Sequence, residues 1–320
     1  MPQPSISQVH VNRPLSNFSV AYLQRTGYVA GQVFPFVPSD KQSNTYWEYD
    51  RAYFLRSEAD YRAPGSRAKR IGHNLTTNTF TCLRDAVARS IPDPVIANAD
   101  EGIDMKRDAV ELCTQQLLIR QEQRFATAFF GTSIWNADTT PGTLWDVVTS
   151  TPIEDIEARK LVMIENTGGY RANGFLMGAQ AWSDGIKNHP DIIDRIKYTQ
   201  RGIVTEELFA SLIGVDKVLV SYVSRNTGAE GATASYDFVL GQTNALLYYA
   251  APSASRLSVT AGATFTWSGA PDGAGNSFGL GVKNYREPEA DESDTVEVNS
   301  WYTQRVISTP LGEFFSAVVS

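Results

Sequence analysis

Residues 44–70 read NTYWEYDRAYFLRSEADYRAPGSRAKR. Tyr46, Tyr49, Tyr53, Phe54 and Leu55 recur along the first half, with Trp47 on the opposite face. The alternation is imperfect, but the aromatic content predicts a strand over 44–55. Pro64-Gly65 is a turn signal. Ile71 to Leu83 is rich in Thr and Asn and is also extended. The two runs form a long two-stranded excursion, and its residues 61–70 carry Arg62, Arg67, Lys69 and Arg70 with no acid. An isolated hairpin is marginal in water, so one this long needs another surface to lie on.

The rest of the chain has a different balance. Its 320 residues carry a net charge of -7, with 42% hydrophobic and 20% charged residues. That is enough apolar material for a real core and excludes a disordered tail. The acidity argues against a protein that grips nucleic acid through phosphate contacts. No stretch approaches eighteen apolar residues, so no membrane span is expected. The N-terminus has no apolar core of the signal-peptide type. Two cysteines, Cys82 and Cys113, make no disulfide framework and fit a reducing interior, with Cys113 a small core residue on a helical face.

Residues 1–35 are rich in Pro, Ser, Asn and Gln, with Phe18, Tyr22, Tyr28 and Phe34 as spaced aromatic anchors, which reads as an extended arm. Asp104 to Phe130 gives the strongest helical pattern, with Val110, Cys113, Leu117, Leu118, Phe125 and Phe129 near helical spacing. Asp100 and Asp104 are N-cap candidates and Gly131 is a stop. Thr151 with Glu154 forms a capping box ahead of a second helix, with Pro152 at its first position and Gly168-Gly169 at its end. Gly174–Gly178, Asp216–Val223 and Tyr236–Leu240 read as strands between short helices at 179–187, 191–198 and 205–212. Residues 151–285 therefore alternate helix and strand as a compact α/β unit. Ser268–Gly281 is a Gly-rich loop. After the acidic run 286–297, residues 296–308 return as a strand beside the long helix.

No catalytic constellation emerges. His10, His73 and His189 lie in three segments and read as solvated surface rather than a metal site. There is no nucleophile elbow and no phosphate-binding lysine loop, and GAGNSFGLG misses the dinucleotide fingerprint because Phe278 holds the third glycine position. The carboxylates at 287–297 form a solvated run rather than a buried pair. Arg107, Arg120 and Arg124 read as helix-surface charges near Glu111 and Glu122.

The order of parts is an arm, a basic-tipped excursion, a long helix, an α/β unit and a returning strand. With the stretches GFLMGAQAW (174–182), RIKYTQRGIVTEELFASLIGVDKVLVSYV (195–223) and NSWYTQRVIS (299–308), it resembles the major capsid proteins of tailed bacteriophages with the Hong Kong 97-type (HK97-like) fold. The resemblance implies an α+β chain. An N-terminal arm would span 1–38 and an E-loop 39–83. A peripheral domain would take 84–150 and 286–310, with a spine helix at about 104–130, and an axial domain 151–285, rejoined by a C-terminal strand at 311–320.

It also implies a structural protein of the virion rather than an enzyme, with no cofactor and no metal. The chain would assemble in the host cytoplasm as pentamers and hexamers. The shell would enclose double-stranded DNA without sequence-specific binding and without a membrane. A separate scaffolding protein and a portal are implied partners, and the Gly-rich loop is a place for a decoration protein. Lys41 and Lys69 lie in the region where some relatives cross-link, but neither matches a cross-linking position, so no cross-links are expected. The chain begins directly with its arm, so no proteolytic processing is expected.

The excursion then gains its missing surface from a neighbouring subunit. The candidate contacts are Phe18, Tyr22, Tyr46, Trp47 and Tyr53, the basic Arg62, Arg67, Lys69 and Arg70, and the acidic Glu287, Glu289, Asp291, Glu292 and Asp294. The basic tip and the acidic run would attract across subunits, at about 0–1 kcal/mol per exposed pair. Two other readings stand beside this one: an encapsulin-like compartment shell, and an α/β enzyme with an inserted hairpin, which would need a convergent polar site.

Overall fold

The computed structural model describes residues 27–49, 51–72, 74–98, 104–196, 203–253, 259–270, 280–287 and 292–320. Phe18, Tyr22, His10, His73, Glu289 and Asp291, and most of the Gly-rich loop, lie outside the described residues, as do the side chains of Tyr49, Tyr53, Phe54 and Glu287.

The long helix α1 runs Met105–Phe129, within one residue of its expected ends. Asp104 caps it, its Oδ1 accepting the N–H groups of Lys106 and Arg107, both at 3.1 Å. At 1.5 Å per residue its 25 residues span roughly 37 Å. Its buried stripe is Ala109, Cys113, Leu117, Glu122, Phe125 and Phe129. Further on, α2 is Pro152–Thr167, α3 Pro190–Ile196 and α4 Glu206–Ile213, with a π-helical turn at Ala181–Lys187.

The strands are β1 (Phe36–Ser39), β2 (Ser43–Tyr49), β3 (Leu75–Thr81), β4 (Leu83–Pro92), β5 (Asp138–Thr139), β6 (Gly174–Gly178) and β7 (Lys217–Ser221). They continue with β8 (Ser224–Asn226), β9 (Tyr236–Phe238), β10 (Ala245–Tyr248), β11 (Gly262–Trp267), β12 (Leu280–Glu287), β13 (Ser293–Val306) and β14 (Gly312–Phe315).

The first sheet is organised on β13. One edge of β13 pairs with β4 from Ser293↔Pro92 to Tyr302↔Leu83. The other edge is shared: β12 takes Ser293 to Ser300 and β11 takes Tyr302 to Val306. β1 adds parallel to β11, Phe36 facing Thr264. The long helix lies on this sheet through Ala109 against Ile91 and Val296, and through Cys113 and Leu117 against Val298. The strand expected to return beside the helix is therefore present. The expected unit 151–285 is narrower as a sheet, because β11 and β12 pair with β13. For β11 that partner is remote in sequence, which local patterning does not reveal, while β12 pairs with the strand that follows it.

The second sheet runs β5-β14-β10-β6-β7, with β5/β14 and β6/β7 parallel and the other pairs antiparallel. Adjacent residues on β14 point to opposite faces. Phe315 joins Trp145, Phe175, Met177 and Phe209 in the core that α2 and α4 cover. Phe314 joins Phe34, Phe125, Phe129, Leu246 and Tyr248, a core shared with the end of α1. Phe34, one of the arm's expected aromatic anchors, is thus an intrachain core residue, 4.6 Å from Phe129 and 5.3 Å from Tyr248 between ring centroids.

Local chemistry departs from expectation at two further places. Thr151 precedes α2 without a side-chain cap, and the capping box does not form. Glu154 instead accepts from Arg195 at 2.6 Å, an ion pair between α2 and α3. The helix does end as expected at Gly168, in the left-handed region at φ 75°. The run Tyr236–Leu240 shortens to β9, which pairs with β8 in a separate two-stranded ribbon. Thr205 caps α4 as read, its hydroxyl accepting from the Leu208 N–H at 3.3 Å.

Candidate functional site

The excursion is a hairpin with an anchored root. β2 pairs antiparallel with β3 from Ser43↔Thr81 to Tyr49↔Leu75. At the root, Phe80 stacks on Phe265 of β11, centroids 4.0 Å apart and planes 12° from parallel. Tyr46 reaches the same ring at 5.7 Å. Cys82 is buried beside them, and its N–H donates to the Gln42 carbonyl at 2.8 Å. Apolar burial and ring stacking thus fix the hairpin to the first sheet at one end.

Away from the root the apolar side chains are exposed: Trp47, Leu55 and Leu75 about half, Ile71 73% and Tyr61 95%. The strand expected over 44–55 stops at Tyr49, and Arg51–Phe54, which includes Tyr53, forms one helical turn. The partner run ends at Leu75, so beyond it the backbone satisfies itself locally, the Leu55 N–H donating to the Arg51 carbonyl at 3.1 Å. Arg51 donates to the carbonyl of Asn166 near the end of α2, at 2.5 Å.

Arg62, Arg67, Lys69 and Arg70 are all exposed at the tip. Lys69 lies 3.5 Å from Glu58 and 3.4 Å from Asp60, so the loop answers part of its own charge. Arg62 turns inward to donate to the Ser66 carbonyl. The basic window 61–70 thus folds back onto acids just before it.

Of the acidic run, Glu292 lies just before β13 and Asp294 and Glu297 lie on it. Asp294 pairs with Lys106 at 2.7 Å and with Arg286 at 3.4 Å. The Lys106 ammonium, hydrogen-bonded to it, holds its carboxyl below the usual range. Arg286 also meets Asp93 at 2.5 Å, and Glu297 meets Arg84 at 2.5 Å. Asp294 therefore ties the start of α1 to β13 within its own chain. Glu292 is exposed, with φ at 41°.

Three buried polar groups escaped the sequence reading. Glu122 is not a surface charge: it is 1% exposed, and its Oε1 accepts the N–H groups of Val29 at 2.6 Å and Ala30 at 2.7 Å. Burial pushes its carboxyl up to about 7, against the pull of those two donors. Its place in the stripe, four residues after Leu118 and three before Phe125, was the available signal. His189 is not solvated: it is 2% exposed, with Nε2 3.0 Å from Ser150 Oγ. Glu313 on β14 is fully buried and burial lifts it to about 7, with the charge of Arg159 acting the other way. Of the helix arginines, Arg107 pairs with Glu111 at 3.4 Å as expected. Arg124 is instead committed to Asp85 at 2.7 Å and lies over the Tyr302 ring at 5.1 Å.

These charges are dispersed over separate elements, and no cluster of three or more potential metal ligands exists among the described residues. No helix of the described residues is long and apolar enough to cross a membrane. The most distinctive feature is the hairpin, fixed at its root and exposing Trp47, Tyr61 and Ile71 among charged residues beyond it.

No known family profile matches the chain. It is 23% identical over 319 residues to the major capsid protein of Pseudomonas phage JBD67, covering 97% of each. Among solved structures, a phage-related protein of Bordetella bronchiseptica RB50 matches with a TM-score of 0.69 at 20% identity, over 92% of this chain and 93% of that one. The capsid of cyanophage P-SCSP1u matches with a TM-score of 0.58 at 10% identity, over 94% and 91%. The SrpI encapsulin of Synechococcus elongatus PCC 7942 matches with a TM-score of 0.59 at 12% identity, over 100% and 98%. Along nearly its whole length this chain is similar in sequence to a phage major capsid protein, and its fold is the Hong Kong 97-type fold of phage capsid structures.

Proposed function

We propose that the chain is the major capsid protein of a tailed double-stranded DNA bacteriophage. Copies assemble as pentamers and hexamers into the icosahedral shell of the virion, inside the host cytoplasm. The observation that carries this is the hairpin: its root is stacked on Phe265, while Tyr61 and Ile71 stand exposed beyond it. A neighbouring copy supplies the surface that these side chains lack, and burying apolar area there contributes about 25 cal/mol per Å².

Trp47, Arg62, Arg67, Lys69, Arg70 and Glu292 are the described candidates for contacts between copies. Tyr46 and Asp294 serve their own chain first. The shell encloses DNA without sequence-specific contact and works without catalysis or cofactor. A scaffolding protein, a portal and a decoration protein are its proposed partners.

The encapsulin likeness, which covers the whole chain, supports a second reading as a compartment shell. The phage reading is favoured by the relative matched end to end in sequence, which is named a capsid protein. Negative-stain electron microscopy with sedimentation velocity on purified protein, alone and co-expressed with its genomic neighbours, tests both. Closed shells or capsomer rings are expected. A discrete monomer or dimer under every condition would sink both shell readings.

A further inference from the structure

One groove of the molecule concentrates positive charge. It lies where the second half of α1, the end of β13 and the β8–β9 ribbon meet, and encloses about 570 Å³. Arg120 and Arg124 line it from α1, Arg225 from β8 and Arg305 from β13. Among the described residues, only Arg124 of the four makes an ion pair, with Asp85. Three arginines without an ion pair among the described residues therefore line one groove whose lining holds no carboxylate, Gln304 and Arg305 reaching it from opposite faces of β13, in a chain whose net charge is -7.

A second observation points the same way. Gln304 lines the groove and is 9% exposed, yet neither Oε1 nor Nε2 of its amide has a hydrogen-bond partner among the described residues. The Nε of Arg225 is likewise buried and unpaired. Buried polar atoms of this kind ordinarily have partners. These donors come from separate elements, which suits a compact oxyanion with several acceptor oxygens.

The chain's own acidic run does not answer this charge. Glu292 precedes β13, whereas Gln304 and Arg305 sit near its other end; at about 3.3 Å per residue the two lie roughly 40 Å apart along the strand.

We infer that this groove binds a phosphate oxyanion through Arg120, Arg225, Arg305 and the Gln304 amide. The phosphate belongs either to a nucleic-acid backbone or to a free phosphate compound. The inference stands independently of shell assembly.

The test uses the purified full-length chain at low salt with two probes, inorganic pyrophosphate and a short fluorescent single-stranded oligonucleotide. Calorimetry reads the first and anisotropy the second. Arg225→Gln/Arg305→Gln is expected to weaken binding about tenfold or more and to flatten its salt dependence. Arg225→Lys/Arg305→Lys should keep part of the affinity, and circular dichroism checks that both variants fold. Arg67→Glu, on the hairpin tip, should leave binding unchanged. Binding of pyrophosphate as tight as the oligonucleotide identifies a small phosphate ligand, and affinity that grows with oligonucleotide length identifies the backbone. Absence of binding by either probe, or undiminished binding in the Gln variant, overturns the inference. So does capture of a peptide copy of residues 287–294 in place of both phosphates, which would make the groove a carboxylate site.

Discussion

Glu122 accepts the backbone N–H of Ala30 at 2.7 Å, from within the apolar stripe of α1. The same oxygen takes the Val29 N–H, so one carboxylate fastens the turn Ala30–Val33 to the long helix. The Tyr28 hydroxyl beside it is raised from its ordinary value, first by burial and then by the Glu122 charge. Glu122→Ala strands both N–H groups, at about 1–3 kcal/mol for each unsatisfied buried donor. A urea titration should show a loss of that order, whereas Glu122→Gln, which keeps an acceptor oxygen, loses less.

Glu122 and Glu313 both rise from an ordinary 4.5 to about 7 on folding. Between those values the folded chain retains protons that the unfolded chain has released. Their contribution is thus most favourable below about 4.5 and declines as pH rises through 7, by on the order of 1–3 kcal/mol each. Unfolding midpoints measured from pH 5 to 8 should fall for the wild type. The slope should be shallower in Glu122→Gln and shallower still with Glu313→Gln added. A double variant with the wild-type slope would assign the effect elsewhere.

Phe80→Ala removes the ring that stacks on Phe265 and opens a cavity beneath the hairpin. A loss of about 3 kcal/mol is expected. Hydrogen exchange should localise the loosening to β2 and β3 and leave the second sheet protected. Uniform loss of protection would mean that the root is part of the global core.

Tyr61→Ser/Ile71→Ser should leave the stability of the isolated chain within about 0.5 kcal/mol, because both side chains are exposed. Assembly should suffer instead, read as the fraction of protein sedimenting as rings or shells. Normal shells from this variant would remove Tyr61 and Ile71 from the intersubunit contact.

Gly178→Ala should be among the most damaging single substitutions. The added Cβ would press on the backbone carbonyl oxygens of Gly241 and Gln242, which no rotamer change relieves. Expression as insoluble protein, or a loss of several kcal/mol, is expected. A soluble variant of wild-type stability would mean that the 241–244 turn moves freely.

The long helix, the strand at 174–178, the helix beginning after Thr205 and the returning strand were all legible in the sequence. Each carries its own periodicity, cap or flanking glycine. What stayed hidden depends on remote partners. Strand β11 is defined by the far end of β13, Thr266 pairing with Tyr302 and Gly262 with Val306, and Tyr53 leaves the strand because no partner continues opposite it. Glu154 abandons its expected cap for Arg195, which only the packing of α3 supplies. Residue type alone puts Glu122 and His189 at the surface, although the helical stripe already sets Glu122 between Leu118 and Phe125. The aromatic and basic character of the excursion and the acidity of 287–294 are plain in the sequence. Which of these residues serve their own chain, as Tyr46 and Asp294 do, required the fold.

Cys82 and Cys113, the chain's two thiols, are both buried, at 0% and 1% exposure. Burial raises Cys82 to about 11, with the effect on Cys113 in the same direction. Both are therefore poor nucleophiles while the subunit is closed. The unmodified protein thus carries two built-in reporters that stay silent until a particular part opens. Alkylation at Cys82 clocks the hairpin root lifting from β11, and alkylation at Cys113 clocks the long helix separating from its sheet. Peptide mass spectrometry of a timed labelling reaction can then order those two events during shell assembly or rupture, without any engineered probe.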